Sequence, residues 1–367
     1  MADIATQSKC DINFLGRSGL RVSNICLGAM TFGEHVFGTP GQLDEQGAHA
    51  LMDRYVQWGG NFIDTADIYG RGKSETIVGS WLAKQKREDV VVATKVRMPI
   101  DVTCPNSGGL SRRHITASIE GSLRRLQTDY VDLYQIHCWD DGAPLEETLS
   151  ALSDLVRCGK VRYLGASNVN GWQLQKIVDL SREMDLSPFI SLQQQYSLIS
   201  RLSELEPFQV CRANGIGVLP WSPLKAGFLA GKIKKGDMPT EGRLQYSAGD
   251  TENKLSPSHP SWEKLNKEQH WRILETVEKI AQTRGKTMAQ VSLRWLVQKS
   301  VVSSVIIGAT KMTQLDDNMA AASGWQLSEE EMSQLDEVSK PELEYPYDVI
   351  WRANKTRVNP WNPAVYV

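Results

Sequence analysis

GGNFIDTADIYG (residues 59–70), VVVATK (90–95) and YVDLYQIH (130–137) share one pattern: a short apolar run that stops on a polar or charged side chain. The runs stop on Asp64, Lys95 and His137, and Tyr69 follows the first by five residues. Apolar runs of this length, bounded by turn residues, read as fully buried strands. Five more lie along the chain: NICLG (24–28), VRYLGAS (161–167), FISLQQ (189–194), IGVLPW (216–221) and VSSVIIG (302–308).

Helical patterns fill the gaps. Leu145, Leu149, Leu152, Leu155 and Val156 recur at helical spacing, and that helix stops at Gly159, two residues before the next strand. Ile115, Ile119, Leu123 and Leu126 line one face of another, entered through Ser111 as N-cap. A third ends at Asn214-Gly215 and again leads straight into a strand. Strands alternating with helices imply a parallel sheet covered by helices, and eight units are the number that closes a (β/α)8 barrel. The competing open, doubly wound sheet usually carries G-x-G-x-x-G after its first strand, and LGAMTFG (27–33) does not fit that template. The expectation is therefore an α/β protein, a (β/α)8 TIM barrel formed by residues 1–367 as one domain. Three segments depart from the repeat: an N-terminal hairpin over 10–23, a long polar loop over 225–266 after the seventh strand, and a C-terminal helix and tail over 326–367.

Bulk properties narrow the function. A net charge of −2 gives no electrostatic case for nucleic acid or an anionic membrane. No stretch approaches the 18 or so apolar residues of a membrane span, and MADIATQSKCDINF lacks the apolar core of a signal peptide. Six scattered cysteines without C-x-x-C or metal-like spacing read as reduced thiols, so a cytoplasmic protein is expected. Of the six histidines only His137 ends a strand, which disfavours a metal-dependent barrel hydrolase; no metal is expected.

Barrel active sites lie at the C-terminal ends of the strands. Asp64, Lys95 and His137 end strands two, three and four, so their side chains can converge beneath Tyr69. Such a set can protonate a carbonyl oxygen. Free tyrosine, with a pKa near ~10, is a weak acid for this task at neutral pH. An ammonium about 4 Å away favours the phenolate by about 4 kcal/mol at an effective dielectric of ~20, before desolvation opposes it. Asp64 would keep Lys95 charged, and His137 would orient the carbonyl or help relay the proton. The hydride must come from a cofactor.

F-I-D-T-A-x-x-Y-G followed by Ser74-Glu75, with the other strand ends, resembles the aldo-keto reductases, in particular the bacterial and potassium-channel β-subunit-like branch. The resemblance runs nearly end to end and implies a catalytic tetrad of Asp64, Tyr69, Lys95 and His137. It also implies a hairpin plugging the barrel bottom and a 225–266 loop that folds over NADPH, with NADH as the alternative. Within GASNV (165–169) and SLQQQYSL (191–198), Ser167, Asn168 and Gln193 look like the family's nicotinamide carboxamide ligands. In WSPLKAGFLAGK (221–232), Trp221 would stack on the nicotinamide, Ser222, Pro223 and Leu224 would follow the pyrophosphate, and Lys232 would reach the phosphates. Arg243 corresponds to a further lid residue near the adenosine. IIGATKMTQLDDN (306–318) is similar to the segment at the adenosine end: Gly308 for close approach, Thr310 and Lys311 at the 2′-phosphate, Gln314, Asp317 and Asn318 around the adenine. Many relatives carry arginine at the position of Thr310 and glutamate at that of Asp317. Met30 borders both cofactor and substrate, with Phe32 and Trp139 in the substrate pocket. The implied activity is reduction of aldehydes or ketones. The alternative is a cofactor-holding regulatory subunit; channel β subunits of this superfamily carry asparagine where this chain has His137.

Overall fold

The computed structural model describes residues 9–33, 43–240, 244 and 262–357. Strands β3 (Ile25–Gly28), β4 (Phe62–Asp64), β5 (Val91–Val96), β6 (Val131–Ile136), β7 (Val161–Ser167), β8 (Phe189–Gln195), β9 (Gly217–Trp221) and β10 (Val305–Ile307) form one parallel sheet. Their order is β10-β3-β4-β5-β6-β7-β8-β9. The ring is completed beside β9, where Val218 bridges Val302 and exchanges backbone hydrogen bonds with Val301 and Ser303. The expected eight-stranded barrel is thus the fold.

The helices begin and end where their residues dictate. Ser111 Oγ accepts from His114 N (3.3 Å) and caps Arg112–Leu126, whose Ile115, Ile119, Leu123 and Leu126 are buried. Leu145–Arg157 is followed by Gly159 at φ 80°, and β7 starts two residues later. Pro207–Asn214 stops on Gly215 in the left-handed region. Losing such a cap typically costs about 1 kcal/mol.

β1 (Ile12–Phe14) and β2 (Arg21–Ser23) make the expected antiparallel hairpin. It closes the bottom of the barrel. Leu15 and Val22 are fully buried against the inward-facing Cys26, Phe62, Val91, Ala93, Leu133, Ile190, Leu219 and Ile306. Gly16 sits at φ 56°, and a Cβ there would lie 2.6 Å from both Gly217 N and Ile190 O, so only glycine fits.

The last strand is shorter than VSSVIIG suggests. Ser303 and Ser304 are diverted to the hairpin: Ser303 Oγ accepts from Gly16 N (3.2 Å) and Ser304 Oγ donates to Ser23 O (2.6 Å). Asn24 and Asn61 likewise precede their strands as ties, Asn24 Nδ2 donating to Ala322 O and Asn61 Oδ1 accepting from Ser23 N. In the C-terminal segment, Glu329–Val338 and Tyr347–Asn354 are helices. The second is anchored by Tyr347 OH donating to Glu206 Oε1 (2.7 Å) and buries none of its residues. Among the described residues no helix is long and apolar enough to cross a membrane.

Candidate active site

At the top of the barrel the inward positions turn from apolar to polar. Asp64 ends β4, Lys95 is the penultimate residue of β5, and Gln135 pairs with Lys95 in register on β6. All three are buried, as is Gln193 of β8. Lys95 Nζ donates to Asp64 Oδ1 (2.5 Å) and Thr65 O (2.8 Å). Asp64 Oδ2 accepts from Gln135 Nε2 (3.0 Å) and Gln193 Nε2 (2.8 Å). A buried ion pair is held only where its remaining lone pairs are satisfied, and the two amides do this for Asp64.

Beyond β4 the backbone keeps pairing with β5: Thr65 N donates to Ala93 O and Asp67 N to Lys95 O. The chain then turns through Tyr69–Gly72, with Gly70 and Arg71 at positive φ. This drops the Tyr69 phenol onto Lys95, whose Nζ donates to it at 3.2 Å and lies 4.7 Å from the ring centroid. Ser74 and Glu75, the end of the diagnostic string, are scaffold. Ser74 Oγ donates to Ala29 O (2.7 Å), while Glu75 accepts from Thr94 Oγ1 (2.6 Å) and Arg125 Nε (2.7 Å).

His137 follows β6 and meets the Tyr69 ring edge-on, with centroids 5.8 Å apart. Tyr69 and His137 keep part of their surface open at the mouth, whereas Asp64 and Lys95 have almost none. The four expected residues therefore form one cluster, with two acting at the surface and two supporting from below.

The electrostatics assign states. Burial alone would lower the Lys95 pKa, but Asp64 and Tyr69 together outweigh it and raise it, so Lys95 is an ammonium. Burial raises the Tyr69 pKa despite the opposing pull of Lys95. The phenol thus stays protonated, and Lys95 limits a rise rather than producing a net fall. For His137, burial together with the charges of Lys95 and Arg97 pushes the pKa down to about 3. Its Nδ1 is buried without a partner. The imidazole is neutral at physiological pH, which favours orientation of an oxygen over proton relay.

The next strand ends are tied to this cluster. Asn168, at φ 52°, donates from Nδ2 to His137 O (2.8 Å) and Ser167 Oγ (2.9 Å). Gln193 has its amide nitrogen on Asp64 and Gln135, so its Oε1 is the atom left to face a ligand. The Trp221 indole N–H is buried without an acceptor. Ser222, Lys225, Ala226 and Gly227 all have positive φ, and the Pro223 and Leu224 between them complete an irregular ledge beside the mouth. Lys225 donates to Gln195 Oε1 and Ser200 Oγ (both 2.7 Å), and burial pulls its pKa down to about 8.

Gly308 is exposed, and Lys311 is the exposed N-cap of Met312–Met319. Thr310 N and Oγ1 both donate to Gln314 Oε1. Asp317 accepts from Thr287 Oγ1 (3.0 Å) and Gln290 Nε2 (2.8 Å), while Asn318 is buried. Lys232 is exposed. Arg243 lies outside the described residues, as does much of the 225–266 loop. Trp139 stands at the mouth with Nε1 on Asp141 (2.9 Å). Met30 is partly exposed. Phe32 is packed into the core, and its backbone bridges Leu43.

Sequence reading missed three residues. Gln135 stands two positions before His137 on a strand whose alternate positions face inward, and Arg97 two positions after Lys95, just past its strand. Trp172 is the second residue of the helix Gly171–Glu183 after β7 and packs edge-on against Trp139, with centroids 5.6 Å apart.

Residues 24–340 match the model described as the Aldo/keto reductase family. The uncharacterized oxidoreductase YrpG of Bacillus subtilis is 38% identical over 322 residues, covering 85% of this chain and 90% of that protein. Norsolorinic acid reductase of Aspergillus flavus is 31% identical over 357 residues, covering 94% and 86%. A probable voltage-gated potassium channel subunit beta of Oryza sativa subsp. japonica is 36% identical over 311 residues, covering 84% and 89%.

Proposed function

Since the chain belongs to the aldo/keto reductase family and is an NAD(P)H-dependent oxidoreductase acting on carbonyls, we propose that it reduces aldehydes or ketones with NADPH and uses Tyr69 as the general acid. The observation that carries the reading is the 3.2 Å hydrogen bond from Lys95 Nζ to Tyr69 OH, with Asp64 fixed behind it.

The nicotinamide, when bound, supplies the hydride. Every other task falls to side chains described above. Tyr69 donates its phenolic proton to the oxygen as negative charge grows there. Lys95 stabilises the phenolate that is left. Asp64 keeps Lys95 charged, and Gln135 and Gln193 keep Asp64 in place. Neutral His137 fixes the carbonyl oxygen at the mouth.

The residues present suit a dinucleotide. Ser167, Asn168 and the free Oε1 of Gln193 would hold the carboxamide, and Trp221, with its unpartnered N–H, would lie against the nicotinamide. The Ser222–Leu224 ledge and Lys232 would take the pyrophosphate. Lys225 adds a cation there with no carboxylate partner among the described residues. Gly308, Thr310, Lys311, Gln314, Asp317 and Asn318 would hold the adenosine end. The exposed Lys311 at a helix start favours a 2′-phosphate and therefore NADPH over NADH. Arg243 would join from the loop, and Met30 and Trp139 would border the substrate.

The rice relative's name motivates a second reading, a cofactor-holding subunit with little turnover. His137 beside Tyr69 argues for turnover.

The test follows NADPH oxidation with aldehydes, ketones and quinones, wild type against Tyr69→Phe. The variant should lose about 10²- to 10⁴-fold in kcat while NADPH still quenches tryptophan fluorescence. Near-normal reduction by the variant would remove Tyr69 as the acid. NADPH binding without any turnover in wild type would favour the second reading.

A further inference from the structure

Arg97 stands two residues beyond Lys95, just past the end of β5. Its backbone has φ 144°, a conformation that side-chain-bearing residues rarely adopt. The loop that follows is pinned. Arg97 O accepts from Gly109 N (2.8 Å), and Leu110 N donates to Asp140 Oδ2 (2.6 Å). The strained backbone is thus fixed by the bond from Gly109, and the loop by its tie to Asp140.

The side chain has little to bind. Nε is buried without an acceptor, and one terminal nitrogen meets only the weakly accepting Met98 Sδ at 3.7 Å. Among the described residues no carboxylate pairs with it. The two acids at this rim are engaged elsewhere. Asp140 accepts from Leu110 N and Gly142 N, and Asp141 from Trp139 Nε1. A partly buried guanidinium lacking acceptors is costly unless a ligand supplies them. The charge sits close enough to His137 to help keep that imidazole neutral. Trp139, next to the Asp140 that pins this loop, packs edge-to-face on Trp172, which is 57% exposed. That much open indole beside an unpaired guanidinium suits a planar ring bearing an anion.

We propose that Arg97 is a substrate-anion site: its guanidinium, beside His137 and followed by the loop tied to Asp140 next to the Trp139–Trp172 pair, binds a carboxylate carried by an aromatic carbonyl substrate. This rests on the carbonyl-reductase reading. Arginine matches the carboxylate with a planar pair of donors, which lysine cannot reproduce.

The experiment compares 4-carboxybenzaldehyde with benzaldehyde at saturating NADPH, using full-length wild type, Arg97→Met and Arg97→Lys. The readout is the ratio of kcat/KM values, carboxylated over neutral. Wild type should favour the carboxylated aldehyde, and Arg97→Met should lower the ratio at least tenfold, mainly through KM. Arg97→Lys should fall in between. In wild type alone, raising salt from ~20 to ~300 mM should raise KM for the carboxylated aldehyde more than for the neutral one, because the contact is partly screened. A ratio that changes less than twofold in Arg97→Met, or a salt response equal for both aldehydes, would overturn the proposal. If wild type reduces neither aldehyde, the underlying reductase reading fails, and the anion site falls with it.

Discussion

Replacing Lys95 by methionine separates the two roles given to this side chain. The volume is nearly kept, but the ammonium is lost from between Asp64 (2.5 Å) and Tyr69 (3.2 Å). At 3.2 Å and an effective dielectric of ~20, the ammonium stabilises a full phenolate by about 5 kcal/mol. If the proton is half transferred in the transition state, about half of that is felt, so kcat should fall by roughly 10²-fold. Stability should fall too, because Asp64 is left as a buried carboxylate. Removing one member of a buried pair costs about 3–5 kcal/mol, and the amides of Gln135 and Gln193 place the expectation near the lower bound. The double variant Asp64→Asn, Lys95→Met removes the stranded charge along with its partner. It should recover most of the stability and none of the kcat. Urea unfolding and steady-state NADPH oxidation read the two quantities independently. Recovery of both in the double variant would refute the argument, since Lys95 would then act only by packing. A kcat within threefold of wild type in the single variant would refute it as well.

Two more expectations concern pH. Asp67 is fully buried with neither carboxyl oxygen hydrogen-bonded, and burial, with the charge of Glu75, raises its pKa to about 8. The folded protein therefore holds a proton that the unfolded chain releases near ~3.9, so this stabilisation is complete below ~pH 4 and is lost as pH rises towards 8. Asp67→Asn should remove up to about 1.4 kcal/mol of decline per pH unit across that window and be the more stable protein at pH 7; parallel stability–pH curves for the two proteins would contradict this. His137, held near 3, should contribute no limb to the kcat/KM profile between pH 5.5 and 7.5. A limb near pH 6.5 that disappears in His137→Asn would show an imidazolium at work and restore proton relay as its role.

The fold was legible because a parallel barrel buries both faces of each strand, which leaves continuous apolar runs with an abrupt end. The abrupt ends were the site: Asp64 and His137 stop their runs because each sits where the barrel interior opens to the mouth. Less legible were residues whose role depends on neighbours distant in sequence. Ser303 and Ser304 read as strand residues, but the hairpin some 280 residues before them in the chain takes their hydroxyls. The direction of the Tyr69 shift needed coordinates too. Burial and the Lys95 charge oppose each other, and only the degree of enclosure decides between them.

Gln135 shows how far the pattern could have been pressed. It lies two residues before His137 in a strand whose alternate positions face inward, so the sequence already placed a polar amide inside the barrel. An interior amide needs partners, and the ends of the two preceding strands, β4 and β5, offered a carboxylate and an ammonium. Two residues beyond Lys95, just past the end of β5, stands Arg97. From β5 into the segment after it the chain passes from Ala93 through Lys95 to Arg97, from an apolar plug, through a cation neutralised by Asp64, to one with no counterion among the described residues. In that progression the inner charge serves the acid. The outer charge has no such client among the described residues, which is the physical reason to look for its partner in the substrate.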